Sequence, residues 1–363
     1  MQDDRISSHY LMAALFISRI LVSFTYIAPE GRRLSGTDVA VSSLLAALLC
    51  ALCFFPAKRL LDGGGNLLTR ARRCSPAFAR GLAAIYTLGF VFAVFAAMLR
   101  FELFAGAVLF PDGRNHWLTG MMLLCAGYGA YKGFRTVSRA SAFVGALTAA
   151  GLLLILFTLQ GKARADYLRP PFSDGVGVVL RRTLTALGST AEVAAIPVLS
   201  EKTDPRIKKT FLPWMFAGFS TLALLALFES AVLGRFGEKE LFPAYALTAQ
   251  ATVGSGVRLD AVFTAIWVLC ALVKLCLCFT VLCEVFASGF GVKNKLSALI
   301  GCGTVSAAAV FLTSGNPDAA KILISPAPLL LFLSMTVAIP LSVRAAEKLR
   351  DRRTGAVPAV NVP

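Results

Sequence analysis

A succession of long apolar runs with almost no charge inside them constrains this chain more than any other feature. A helix needs about 20 apolar residues to cross roughly 30 Å of hydrocarbon. Ten runs of about that length follow one another, at about 10–28, 38–55, 81–108, 117–131, 137–160, 178–200, 211–234, 259–288, 294–313 and 322–343. The fourth is short and the third and eighth are long, which implies tilting or protrusion. Composition agrees: 57% of residues are hydrophobic and only 15% charged, where soluble domains carry about 25% charged residues. The expected fold class is an all-α polytopic membrane protein with ten transmembrane helices. It forms a single transmembrane domain over 1–345, followed by a basic, disordered tail at 346–363. The first run follows the acidic stretch Met1-Gln-Asp-Asp-Arg5 and is too long for the apolar part of a signal peptide, so it reads as a retained helix.

The net charge of +16 would suggest nucleic acid in a soluble protein. Here the cations lie between apolar runs, where they record membrane orientation, and no nucleic-acid partner is expected. Ten spans put both termini on one side; that side carries 21 of the 36 Lys and Arg, the other side 12, and the spans themselves 3. The excess predicts that both termini are cytoplasmic in a multi-pass cell-membrane protein. His9 and His116 lie far apart, and eight of the nine cysteines fall inside apolar runs. Cys50-Ala-Leu-Cys53 has redox spacing, but in a membrane helix it reads as a pair of small packing residues. There is no P-loop. No metal, cofactor or soluble-type enzyme activity is therefore expected. The segment 241–256 is predicted to lie flat on the outer surface.

Ionisable residues at membrane depth are costly and mark partners, pathways or sites. Glu229 and Glu284 sit near the ends of their runs, where a side chain reaches the interface. Arg19, Arg100, Glu102, Glu192 and Lys274 lie deeper. The sixth run reads Gly188-Ser189-Thr190-Ala191-Glu192 and then Pro197. Gly188 and the two hydroxyl residues weaken the helix in mid-membrane, and Pro197 removes a further backbone hydrogen bond. A helix broken here aims free backbone groups and hydroxyls into a cavity, as in transporters that hold a substrate. Glu192 has two readings, a partner for a ligand ammonium or proton and a structural partner for a basic neighbour. In the first run Ser18, Arg19 and Ser23 supply polar groups, yet no glycine falls between Tyr10 and Ala28, so unwinding there is less marked. Arg19 either binds an anionic group or neutralises Glu192 or Glu102. Lys274 is too deep to snorkel and requires a carboxylate partner, whether it replaces a coupling ion or pairs structurally. Arg100 and Glu102, two apart, face different sides of a helix and need separate partners.

Several of these residues, with others, carry a resemblance. Tyr128-Gly-Ala-Tyr131-Lys132-Gly133 with Arg139, Arg258-Leu-Asp260 leading to Trp267 and Lys274, Arg100, Glu192 with Pro197, and Phe236-Gly237 stand in the order and spacing of one family. From Ile6 to about Ala345 the chain resembles the GerAB-type endospore germination permeases, germinant-receptor B subunits within the amino acid–polyamine–organocation transporter superfamily. It departs from the family pattern at Leu21-Val22, where a Gly-Ser pair is usual, and around Asp112-Gly-Arg114, where Thr-Pro is usual. The resemblance implies a LeuT-like fold of two inverted five-helix repeats, about 10–160 and 178–343, with helix 6 broken and helix 1 a second candidate for a break. It implies a central pocket lined by the first, third, sixth and eighth helices. It also implies a small germinant such as an amino acid, germinant-receptor A and C subunits as partners, and the spore inner membrane as location. The site residues so expected are Ser18, Arg19, Ser23, Gly188, Ser189, Thr190 and Glu192 for the ligand, with Arg100, Glu102 and Lys274 as a charge network. The residues alone do not separate a germinant sensor from a proton- or cation-coupled amino-acid transporter; the resemblance favours the sensor, with the transporter as the alternative and a scaffold without ligand less favoured.

Overall fold

A computed structural model describes residues 5–24, 34–62, 64–110, 116–253, 257–292, 294–313 and 318–354. Nearly all of these are helical. The first span is α1, Ser8–Phe24. Next comes α2, Gly36–Leu61, capped by the Ser35 hydroxyl, which accepts from the Asp38 amide. A short helix α3, Leu67–Cys74, is capped in the same way by Asn66. Pro76, whose missing N–H costs nothing in a first turn, opens α4, Pro76–Phe104, which runs on into a π-helical turn at Ala105–Leu109. The helices α5, His116–Lys132, and α6, Phe134–Leu159, are separated by Gly133 alone. Its φ of 99° is open to glycine and strained for other residues.

The second half begins with α7, Val176–Gly188, a 3-10 turn at Ala191–Ala194, and α8, Ala195–Leu199. The sixth helix is therefore broken where the sequence predicts. Then follow α9, Ile207–Leu233, and two short helices, α10, Arg235–Lys239, and α11, Pro243–Gln250. A two-residue ladder pairs β1, Thr252–Val253, with β2, Val257–Arg258. The long α12, Asp260–Val285, ends in a π turn at Phe286–Phe290. The chain finishes with α13, Lys295–Thr313, α14, Ala319–Ile324, α15, Ala327–Leu333, a π turn at Ser334–Ala338, and α16, Ile339–Thr354.

Among the described residues, eight helical stretches are long and apolar enough to cross a membrane. The other two expected spans fall on α1 and α5, each of 17 residues. The helix α1 is continuous to Phe24, so it contains no break; residues 25–33 and the 111–115 turn lie outside the described residues. Helix α16 continues to Thr354, past the point where a disordered tail is expected. The Arg70 guanidinium of α3 holds it there by donating to Glu347 at 2.7 Å. Residues 355–363 lie outside the described residues. The 241–256 segment folds into α11 and β1 over its described part.

Polar contacts tie the helix ends together at two opposite faces. On the N-terminal face, Ile6 bridges Thr203 in parallel, the Asn66 amide donates to Glu201 at 2.8 Å, and Lys202 pairs with Glu284. On the other face, the buried Asp38 carboxylate accepts the backbone N–H groups of Phe172 and Asp174, and Arg169 pairs with Glu238 at 3.0 Å. Between the faces, Trp267 of α12 is fully buried; it stacks on Phe101 at 5.6 Å and packs at a tilt against Phe104 at 4.1 Å. Phe104 in turn packs against Phe242 and Tyr245 beside and within α11.

Candidate functional site

The break in the sixth helix is stabilised by the residues that cause it. At a helix end the last carbonyls lose their partners. Here the Ser189 hydroxyl donates back to the Ala186 carbonyl at 2.8 Å and the Thr190 hydroxyl to the Leu187 carbonyl. Gly188 has a second role the sequence does not announce. A Cβ at this position would stand 2.7 Å from the Leu329 nitrogen and 3.0 Å from the Pro328 carbonyl carbon. Glycine thus lets the end of α7 press directly against the backbone of α15.

Four ionisable side chains meet around this break, all nearly inaccessible: Glu192 at 2%, Lys274 at 3%, Arg19 at 6% and Arg100 at 9%. Lys274 Nζ lies 3.4 Å from Glu192 Oε2 and donates to the Ser18 carbonyl oxygen at the same distance. One ammonium therefore bridges α12, the broken helix and α1. Arg19 donates to the Ser189 hydroxyl at 2.9 Å and lies with its guanidinium carbon 4.5 Å from the centre of the Phe219 ring. Arg100 donates to the Ala96 carbonyl one turn back. Both guanidiniums lie within electrostatic reach of Glu192. Three cations thus surround one carboxylate.

Hydrogen-bond capacity is left over. Among the described residues, Glu192 Oε1, Arg19 Nε, Arg100 Nε and Ser18 Oγ are buried without a partner. Buried polar atoms are nearly always satisfied in folded proteins, so such a concentration at one place marks a site for water or a ligand.

Two small cavities flank Glu192. One, of about 30 Å³, is lined by Arg100, Ser189, Glu192 and Lys274, with Pro328 and Leu331 from α15. The other, of about 40 Å³, lies between α1 and α9 and is lined by Phe16, Arg19, Glu192 and Phe219 among others. The expected single pocket is thus divided. The first helix lines one half, and the tenth span, absent from the expected lining, lines the other. At roughly 10–15 Å³ of such volume per water, these spaces hold a few waters each and no amino acid.

Glu102 is not part of this cluster. Its Oε1 lies 2.9 Å from His116 Nδ1 of α5, so Arg100 and Glu102 do find separate surroundings. The partner His116 was missed because a lone histidine at a run's edge gives no pairing signal. Ser23 lies in the last turn of α1, and its side chain lies outside what the structure describes. Glu229 lines a separate cavity of about 50 Å³ with Arg182, Gly36 and Ser230.

Among solved structures, the chain resembles Mhp1, a nucleobase-cation-symport-1 family transporter, in a closed conformation with bromovinylhydantoin bound. The TM-score is 0.66 at 14% identity, covering 96% of this chain and 94% of that one. It also resembles the inward-facing conformation of Mhp1, with TM-score 0.52 at 13% identity, covering 95% and 77%. Identity this low establishes the fold alone, which is LeuT-like. No curated protein sequence matches the chain. Residues 71–317 match the spore-permease family of spore germination proteins, a match over more than half its length, and the chain belongs to that family.

Proposed function

We propose that the chain is the integral-membrane subunit of a spore germinant receptor, binding an amino-acid germinant at the break in the sixth helix. The observation that carries this reading is the charge balance there: Arg19, Arg100 and Lys274 against Glu192, with unused hydrogen-bonding atoms on both signs. An amino acid brings a carboxylate for the guanidinium N–H groups and an ammonium for Glu192 Oε1. Ser18, Ser189 and Thr190 supply neutral contacts, Gly188 gives backbone approach, and Lys274 sets the surrounding field, while Glu102, paired with His116, stands apart from the site.

Because the two cavities have room only for water, a ligand binds after α7, α8 and α15 part. A ligand that prefers the parted state shifts the population toward it, and that shift is the signal. Lys274 supports sensing over ion-coupled transport, since its fixed ammonium already occupies the place between the Ser18 carbonyl and Glu192. The excess of cations on the N-terminal face supports cytoplasmic termini. The family supports the spore inner membrane as location, A and C subunits as partners, and two five-helix repeats at about 10–160 and 178–343.

The alternative is a proton- or cation-coupled amino-acid transporter, favoured by the transporter fold of the structural neighbours, with Glu192 cycling a proton. Labelled amino acid added to sealed proteoliposomes separates the two. A plateau near one molecule per protein that persists when the vesicles are opened is expected for the sensor. Accumulation far beyond one, lost on opening, overturns it in favour of transport.

A further inference from the structure

The membrane-facing side of the bundle carries a groove of 540 Å³ between α5 and α13, inside the size range of small-ligand sites. Leu124 and Tyr128 form one wall, Leu296 and Ile300 the other, and Phe279 of α12 the floor. Missing side chains make the groove: a Cβ on Gly120 or Gly127 of α5 would meet nothing within 4 Å. In a bilayer such a channel is filled by hydrocarbon, and the chemistry at its end decides whether one lipid is selected.

That chemistry is of a single sign. No acidic residue occurs between Asp112 and Asp166, or between Glu284 and Asp318, so neither helix offers a carboxylate, nor does the turn at the Lys132 end of α5 or the Lys295 end of α13. Lys132 ends α5 and Lys295 begins α13 at the same face. The Lys295 ammonium lies 3.9 Å from where a Cβ on Gly133 would stand. The Lys132 ammonium sits 5.2 Å from the centre of the Tyr128 ring, a ring that also lines the groove. Neither is held by a carboxylate among the described residues. Two cations and a tyrosine at interfacial depth, above an apolar trough, match a phosphate headgroup above its acyl chains.

We propose that this groove binds one anionic phospholipid, its phosphate between Lys132 and Lys295 and an acyl chain laid along Gly120 and Gly127 over Phe279. Phe279 follows Lys274 by five residues on α12, so the lipid bears on the helix that carries the buried ammonium. A packed partner helix also suits glycine-lined grooves, but it has no use for two unneutralised cations at the rim.

The test is native mass spectrometry of the purified, delipidated full chain, offered equimolar dioleoyl phosphatidylglycerol and dioleoyl phosphatidylcholine. One retained phosphatidylglycerol is expected. At about fivefold per cation near the headgroup, its preference is about 25-fold. Lys132→Gln with Lys295→Gln, both exposed and outside the core, brings the preference to near parity without changing elution volume or unfolding. Gly127→Leu fills the trough and removes retention of both lipids. Equal retention of the two lipids by the unaltered protein overturns the proposal, as does a preference that survives the double substitution. A Gly127→Leu protein that keeps its lipid but loses a dimer mass assigns the groove to a second copy of the chain and overturns it too.

Discussion

Glu192 and Lys274 are not equivalent halves of a pair, and their substitution separates them. At 3.4 Å and an effective dielectric of about 20, their attraction is about 5 kcal/mol. Removing one member of a buried pair costs about 3–5 kcal/mol, because the other is left without a counter-charge. After Glu192→Gln, three cations remain with no carboxylate among them, and the full cost of about 3–5 kcal/mol is expected. After Lys274→Met, Glu192 still faces Arg19 and Arg100, and a smaller loss of about 1–3 kcal/mol is expected. The double substitution removes both charges together and falls short of the sum of the singles by about 2 kcal/mol or more. Reversible unfolding of the purified protein in mixed detergent micelles reads all four states of the cycle. Additivity within about 0.5 kcal/mol, or a Lys274→Met as costly as Glu192→Gln, refutes the reasoning.

Two further substitutions probe what holds the site. Gly188→Ala drives a methyl group into the Leu329 and Pro328 backbone, and a loss of about 1–3 kcal/mol is expected; a protein of unchanged thermal stability would mean α15 is free to withdraw. Asp38→Asn replaces one of two carboxylate oxygens, each accepting a backbone N–H from the 172–174 loop, by a donor. A loss of about 1.5–3 kcal/mol is expected, with faster hydrogen exchange at Phe172 and Asp174; unchanged exchange there would show that the loop is held by other contacts.

Much of this was legible in the sequence, for reasons that differ from residue to residue. The spans follow from the period and length of apolar runs, which the bilayer enforces. The break at Gly188-Ser189-Thr190 was legible because glycine followed by two hydroxyl residues is a poor helix interior, and the hydroxyls do turn back on the freed carbonyls. That Lys274 must meet a carboxylate follows from the cost of burying an ammonium alone. Its identity as Glu192, and the Ser18 carbonyl as a second acceptor, depend on how α1, the 191–194 turn and α12 pack, which no local pattern encodes. The same holds for the division of the pocket by Glu192 and for the entry of α15 into its lining. The pressing of Gly188 against Leu329 is a contact between residues 141 positions apart. The π-helical turns at 105–109, 286–290 and 334–338 leave no compositional trace.

The most direct measurement is equilibrium binding of a panel of free amino acids, each beside its carboxamide, to the purified protein in nanodiscs. Three cations around one carboxylate call for a ligand carboxylate. At least one amino acid should therefore bind one to one, its carboxamide at least about tenfold more weakly, and Arg100→Gln should erase that difference. A carboxamide that binds as well as its parent acid, or a panel in which nothing binds, would contradict an amino-acid site at the broken helix.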